Sequence, residues 1–140
     1  MYLLDTNVVS ELRKANTPNI DSNVESWAKT VPVGELHISV ISVQEIQTGI
    51  DLKMRKDEVQ AIRLQEWFNE NVLKTFENRI VPIDEAIALV CAKLHVPNKR
   101  PYADSLIAAS ANHHNMTLVT RNVGDFEGLT TKLLNPWDNV

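Results

Sequence analysis

A chain of 140 residues is long enough for one hydrophobic core and too short for two, because domains commonly contain about 100–150 residues, so we expect a single domain over residues 1–140. With 44% hydrophobic and 23% charged residues, and no run near the roughly 20 apolar residues of a membrane helix, the composition excludes disordered, fibrous and membrane-spanning classes and indicates a cytoplasmic globular protein. The net charge of −4 weakens an interpretation as a nucleic-acid binder without excluding local basic patches, and the single cysteine, Cys91, excludes an intramolecular disulfide.

The first predicted element is a short buried strand with a carboxylate directly behind it. Residues 2–4 form a continuous apolar run, as in a parallel strand covered on both faces, and apolar residues then recur at helical spacing from Val8 to Leu12. Asp5 lies at the switch between these two patterns. Ligands of open parallel sheets bind beyond the carboxyl ends of the strands, so Asp5 is a candidate for chemistry. The alternative is that Asp5 or Asn7 only caps the following helix.

The rest of the chain alternates between predicted helices and strands. Further strands are expected at residues 36–40, 79–83, 117–120 and 132–134. Further helices are expected at residues 24–31, 42–54, 57–77, 84–95 and 102–114. This alternation predicts an α/β fold with a mainly parallel sheet of four to five strands and right-handed crossovers.

The helix predicted over residues 57–77 carries an apolar stripe along one face. The stripe consists of Val59, Ile62, Trp67, Phe68, Leu73 and Phe76, and the residues between them are mostly charged or amide. We expect this face to pack on the core, with docking of a partner helix as the alternative.

Four carboxylates fall where this fold would bring them near one edge of the sheet. Asp5 ends the first strand, Glu45 is expected in the first turn of the helix after the second, and Asp125 follows the fourth. Asp104 begins the helix before that strand and needs tertiary folding to reach the others. Each has a structural alternative. Ser42 and Glu45 match a capping box, Asp104 would meet the positive end of its own helix, and Asp125 could belong to a turn.

Together, the four carboxylates indicate a metal site. Clustered negative charges repel one another, and a Mg²⁺ or Mn²⁺ ion with oxygen ligands would neutralise them and support phosphodiester hydrolysis. The sequence has no Gly-rich phosphate loop, no nucleophile-elbow serine and no histidine spacing suited to zinc. Phosphomonoester hydrolysis through an aspartyl nucleophile at Asp5 is a weaker hypothesis, because Asn7 stands where that pattern needs a second aspartate.

Four ordered motifs carry a resemblance to a known family. They are Leu-Asp-Thr-Asn at residues 4–7, Ser-Val-Gln-Glu at 42–45, Tyr-Ala-Asp-Ser-Leu-Ile-Ala-Ala at 102–109 and Leu-Val-Thr-Arg-Asn-Val-Gly-Asp-Phe at 118–126. In this order and at these intervals the chain resembles PIN-domain proteins and, more narrowly, VapC-type toxins. The similarity extends through Asn-Pro-Trp at residues 135–137.

The resemblance implies a three-layer α/β/α sandwich and a Mg²⁺- or Mn²⁺-dependent endoribonuclease, the toxin of a type II toxin–antitoxin system. It also implies structured RNA substrates, often transfer or ribosomal RNA, a VapB-like antitoxin and a homodimer. By matching position, Asp5 and Asp104 would be the principal metal ligands. Glu45 would bind metal or activate water, and Asp125 would complete the acidic cluster.

The supporting groups implied by the same match are Thr6, Asn7, Thr120 and Asn122. Some relatives have an acidic residue where this chain has Asn122, which leaves either Asp125 or Asn122 as the fourth group of the site. An amide oxygen at Asn122 would bring no negative charge toward a second ion.

Basic residues near helix ends are the candidates for phosphate contacts. They are Arg100 and the group Lys53, Arg55 and Lys56. The alternative to an enzyme is a PIN-like module that has lost catalysis and binds RNA or a protein partner. The presence of all four carboxylates favours the enzyme.

Overall fold

A computed structural model describes residues 1–130 and 132–138 of the chain, so the expected domain end at residue 140 lies outside the described residues. The strands are β1 (Tyr2–Leu4), β2 (Leu36–Ser39), β3 (Ile80–Val81), β4 (Thr117–Val119) and β5 (Leu133–Leu134). The helices are α1 (Thr6–Leu12), α2 (Ser22–Thr30), α3 (Val40–Met54), α4 (Glu58–Trp67), α5 (Glu85–Leu94) and α6 (Tyr102–His113). A π-helical segment, Phe68–Leu73, continues α4, and 3₁₀ turns lie at Val33–Glu35 and Val123–Phe126.

The five strands form one parallel sheet in the order β3-β2-β1-β4-β5, which confirms the predicted sheet. Successive residues of a strand point to opposite faces. Leu3 and Leu118 pack with α5 and α6 in one buried cluster, whereas Leu4, Ile38 and Val119 pack with α1, α3 and the end of α4 in another. Helices thus cover both faces of the sheet, and the expected α/β/α sandwich is confirmed.

The start of α3 differs from the prediction. Ser39 ends β2 and caps the helix, and its Oγ accepts a hydrogen bond from the backbone N–H of Ile41 at 3.0 Å. The helix therefore begins at Val40, which the sequence assigned to the strand, and not at Ser42. Ser42 and Glu45 lie inside α3, so the capping box that the sequence offered as the structural alternative for Glu45 is wrong.

The apolar stripe over residues 57–77 is only partly buried. Val59 and Ile62 are 64% and 45% exposed, whereas Ala61 and Phe68 face the core. Residues in a helix are about 100° apart, so a helix that turns Ala61 inward carries Ile62 and Val59 away from the core. Core packing by the first turns of this stripe was therefore a wrong prediction.

Some predicted ends also move by one or two residues. β3 covers only Ile80–Val81 of the predicted 79–83, and Pro82, which has no backbone N–H to donate, follows it directly.

Within residues 1–130 and 132–138, no helix has both the length and the apolar character needed to cross a membrane.

Candidate active site

Asp5 is the buried centre of a polar cluster at the carboxyl edge of the sheet. Its side chain follows β1 and is only 7% exposed. Oδ1 accepts a hydrogen bond from the backbone N–H of Thr6 at 2.8 Å, and Oδ2 accepts one from Thr120 Oγ1 at 2.7 Å and a longer one from Asn7 Nδ2 at 3.3 Å. Asp5 caps α1 through Oδ1, as the alternative predicted, and is fixed across the sheet through Oδ2, while its role in chemistry stays a prediction.

Glu45 reaches the same edge from α3. It lies in the second turn of that helix, one turn later than expected, and its Oε1 is 2.8 Å from Thr6 Oγ1. The same Thr6 hydroxyl is 2.9 Å from Ser42 Oγ. A hydroxyl carries one proton, so Thr6 donates to the carboxylate and can accept from Ser42. The residues that looked like a helix cap instead connect α3 to the start of α1.

Asp104 enters the cluster from the first turn of α6. Partial burial raises the pKa of its carboxyl group above the ordinary range, and the negative charges of Asp5, Asp125 and Glu45 raise this pKa further. The guanidinium of Arg100 acts in the opposite direction. Tertiary folding therefore brings Asp104 within electrostatic range of the other three carboxylates.

The pKa of Asp5 is raised for related reasons. Desolvation is the largest cause, and the charges of Glu45 and Asp125 add to it. The hydrogen bonds from Thr120 and from the Thr6 backbone stabilise the ionised form and oppose the rise. The site thus concentrates negative charge around a carboxylate that is already poorly solvated.

The segment after β4 supplies both candidates for the fourth group. Asp125 lies in the 3₁₀ turn Val123–Phe126, and its charge acts on Asp5 and on Asp104. Asn122 contributes its backbone N–H, which donates to Thr120 Oγ1 at 3.0 Å. Thr120 therefore links β4, the following turn and Asp5 through one buried hydroxyl.

The donor set suits a hard, hydrated cation. In the part of the chain that the structure describes, no three Asp, Glu, His or Cys side chains lie close enough to ligate one ion directly. Mg²⁺ keeps several waters and commonly uses one or two carboxylates, so an oxygen-only donor set fits such an ion. Desolvation is the largest cause of the raised pKa of Asp5 and Asp104, and the negative charges of the neighbouring carboxylates add to it. A divalent ion would neutralise these charges.

The basic candidates divide into two groups. Arg100 stands beside Asp104 and donates from Nη2 to the carbonyl of Glu127 at 2.9 Å. Lys53 lines a cleft that opens next to Glu45, whereas Arg55 and Lys56 lie past the end of α3 and do not line it.

Two residues near the site had no assigned role in the sequence analysis. Arg121 and Trp137 line the same cleft as Thr6 and Asn7, and the Arg121 guanidinium lies 5.2 Å from the centre of the Trp137 ring. The motifs at residues 118–126 and 135–137 contained both residues, but sixteen positions separate them and only the fold reveals the contact.

Comparison with known proteins places this geometry in a family. A family model described as the PIN domain matches residues 2–128. Toxin FitB of Neisseria gonorrhoeae is 32% identical over 142 residues, covering 98% of this chain and 99% of FitB, and VapC ribonuclease Y4jK of Sinorhizobium fredii is 32% identical over 143 residues, covering 99% of each. The crystal structure of FitAcB from Neisseria gonorrhoeae aligns with a TM-score of 0.86 at 31% identity, over 98% of this chain and 99% of that chain.

Proposed function

Because the chain belongs to the PIN-domain family, we propose that it is a Mg²⁺- or Mn²⁺-dependent endoribonuclease that acts in the cytoplasm as the toxin of a VapBC-like type II toxin–antitoxin pair. The observation that carries this proposal is that three carboxylates, Glu45, Asp104 and Asp125, lie within electrostatic range of the buried Asp5. Relatives named as VapC ribonucleases support RNA as the substrate, with transfer or ribosomal RNA the expected classes.

The proposed roles follow from the contacts of each carboxylate. Asp5 and Asp104 hold the ion, and hydrogen bonds from Thr120 and from the Thr6 backbone orient Asp5 and favour its ionised form. Glu45, held by the Thr6 hydroxyl, orients the attacking water and accepts its proton. Asp125 completes the negative charge of the site. A bound divalent ion would supply Lewis-acid stabilisation of the phosphate and a lower pKa for the attacking water.

We also propose two protein partners. A VapB-like antitoxin is supported by the toxin–antitoxin complexes among the solved relatives.

A homodimer is supported by exposed apolar side chains around the groove between α3 and the start of α6, where Leu52 and Tyr102 are 61% and 75% exposed. Light scattering of the purified chain should give twice the monomer mass, and Tyr102→Ser together with Leu52→Ser should reduce it to the monomer. A monomeric wild-type chain would refute the dimer.

Cleavage of RNA tests the activity directly. Purified protein should cleave transfer or ribosomal RNA with Mg²⁺ or Mn²⁺ and lose this activity in excess chelator. Asp5→Asn and Asp104→Asn keep side-chain size and remove the charge, so each should reduce the cleavage rate to below about one hundredth. Asp51→Asn is the matched control, because Asp51 is exposed on α3 and contacts only the Gln47 amide among the described hydrogen bonds.

The same experiment separates the enzyme from a binding module. Full cleavage in chelator, or by both site variants, would contradict the proposed mechanism. Tight RNA binding without metal-dependent cleavage in any structured RNA pool would instead favour the catalytically lapsed module.

A further inference from the structure

A cleft beside the carboxylate cluster extends away from it along α3. Its volume is about 670 Å³, and α1, α3 and α4 form its walls. Thr6 and Glu45 lie at the end nearest the carboxylates, and Lys53 lies two helical turns farther on, about 12 Å along the helix axis. A cleft in the range of roughly 300–1,000 Å³ can enclose a ligand larger than a single phosphate group.

The cleft is locally basic in a chain with net charge −4. Four cationic side chains line it, namely Arg13, Lys14, Lys53 and Arg121, against two carboxylates, Glu11 and Glu45. Only Lys14 has an ion-pair partner within the described residues, Glu11 at 3.1 Å. The other three cations in the described cleft can therefore engage a bound anion without first breaking a salt bridge.

Arg121 is held in place by its neighbours. Its guanidinium lies over the half-buried ring of Trp137, and its backbone N–H donates to Asn7 Oδ1 at 3.3 Å. The backbone of Trp137 is itself anchored, because its backbone N–H donates to Asn135 Oδ1 at 3.0 Å and its backbone carbonyl accepts from Asn23 Nδ2 at 2.8 Å. A guanidinium over an aromatic ring still has N–H donors available for bidentate contact with a phosphate.

We propose that this cleft binds the phosphate backbone of RNA next to the cleavage site, with Arg121 and Lys53 contacting separate phosphates. Trp137 acts as a positioning residue that fixes Arg121. The inference rests on the proposed ribonuclease function and adds the path of the substrate strand. Unpaired cations in an acidic protein favour a polyanion over a polypeptide as the occupant.

RNA binding without cleavage tests this path. The probe is a fluorescein-labelled single-stranded RNA of twelve nucleotides, titrated in excess EDTA and followed by fluorescence anisotropy. Arg121→Gln and Lys53→Gln should each weaken binding about fivefold and lower the slope of log affinity against log salt by about 1, as expected for the loss of one phosphate contact. Lys93→Gln is the matched control, because Lys93 is an exposed cation on α5, which packs on the opposite face of the sheet.

The positioning role of Trp137 has its own readout. Trp137→Leu should weaken binding two- to fivefold, whereas Trp137→Phe, which keeps an aromatic face, should retain most of the affinity. If Trp137 acts through Arg121, the double variant Arg121→Gln/Trp137→Leu should bind no more weakly than Arg121→Gln alone. Additive losses would refute the positioning role, and thermal melts of each variant identify any loss caused by unfolding.

The outcomes distinguish this inference from the proposed function. Unchanged affinity and salt slope in both Arg121→Gln and Lys53→Gln would overturn the RNA path, even if the wild-type protein cleaves RNA, and would leave the cleft to a polypeptide partner. Losses at both positions that Lys93→Gln does not share would support the path, even if no condition gives metal-dependent cleavage.

Discussion

At the scale of single residues, Thr120 determines how the central carboxylate is held. Its hydroxyl is fully buried, donates to Asp5 Oδ2 and accepts from the Asn122 N–H. That donation lowers the pKa of Asp5 against the effect of burial. A carboxylate that must bind a cation at neutral pH needs this donor, because an unpaired buried oxygen favours the protonated form.

Replacing Thr120 by valine removes the hydroxyl and nearly preserves the side-chain shape. We expect Thr120→Val to lower the cleavage rate about 10- to 100-fold, the range typical of groups that orient metal ligands, and to destabilise the fold by about 1–3 kcal/mol. The pKa of Asp5 rises, so the loss of activity should be largest at acidic pH. Thr120→Ser keeps the donor and is the control. A Thr120→Val variant with the wild-type pH profile of cleavage would show that this hydrogen bond does not set the pKa of Asp5.

At the scale of elements, the strands could be predicted because residues 2–4 form an apolar run that ends at the polar Asp5, and residues 117–120 are rich in β-branched side chains. The start of α3 could not be predicted, because Ser39 and Ser42 are both plausible helix caps. Which of them caps the helix depends on where β2 stops pairing with the adjacent strands, β1 and β3. The inward face of α4 was also hidden, since the π-helical segment that follows it shifts the periodicity that sequence patterns assume.

For the carboxylate site, the motifs predicted which residues lie there but not the contacts between them. The order of the motifs predicted that Asp5 and Asp104 lie in one cluster, but the hydrogen bond between Thr6 and Glu45 joins residues 39 positions apart and has no local signature. The Arg121 contact with Trp137 likewise depends on β5 turning the C-terminal segment back toward α1. Such contacts follow from the packing of distant elements and not from spacing.

The observed cap of α3 leads to a stability prediction. Ser39→Ala removes the acceptor for the Ile41 N–H and should lower the free energy of unfolding by about 1 kcal/mol, measured by urea denaturation. Ser39→Gly should cost less than Ser42→Gly, because glycine is tolerated at a helix cap and costs about 1 kcal/mol inside a helix. The reverse order would place the cap at Ser42.

At the scale of the whole molecule, the acidic cluster connects stability to pH and metal. Burial and mutual repulsion raise the pKa of Asp5 and Asp104 above the ordinary value of 3.8. For carboxyl groups shifted in this direction, the native state binds more protons than the unfolded state between the ordinary and the raised pKa. Their contribution to stability is therefore fully present below pH 3.8 and is lost as the pH rises through the raised pKa. At neutral pH, without a cation, the site destabilises the fold that contains it.

Asp104→Asn should therefore raise the melting temperature of the metal-free protein at pH 7, and its advantage over the wild type should shrink as the pH approaches 4. Mg²⁺ or Mn²⁺ should stabilise the wild type by about 2.7 kcal/mol at a concentration one hundred times its Kd, and should stabilise the variant less. Thermal melts at both pH values, with metal and with chelator, measure these differences, and Asp51→Asn controls for the loss of a surface charge. An Asp104→Asn variant that is less stable than the wild type in chelator at pH 7 would contradict this prediction, because it would show that favourable contacts hold the Asp104 carboxylate. The carboxylates would then need no cation to balance their repulsion.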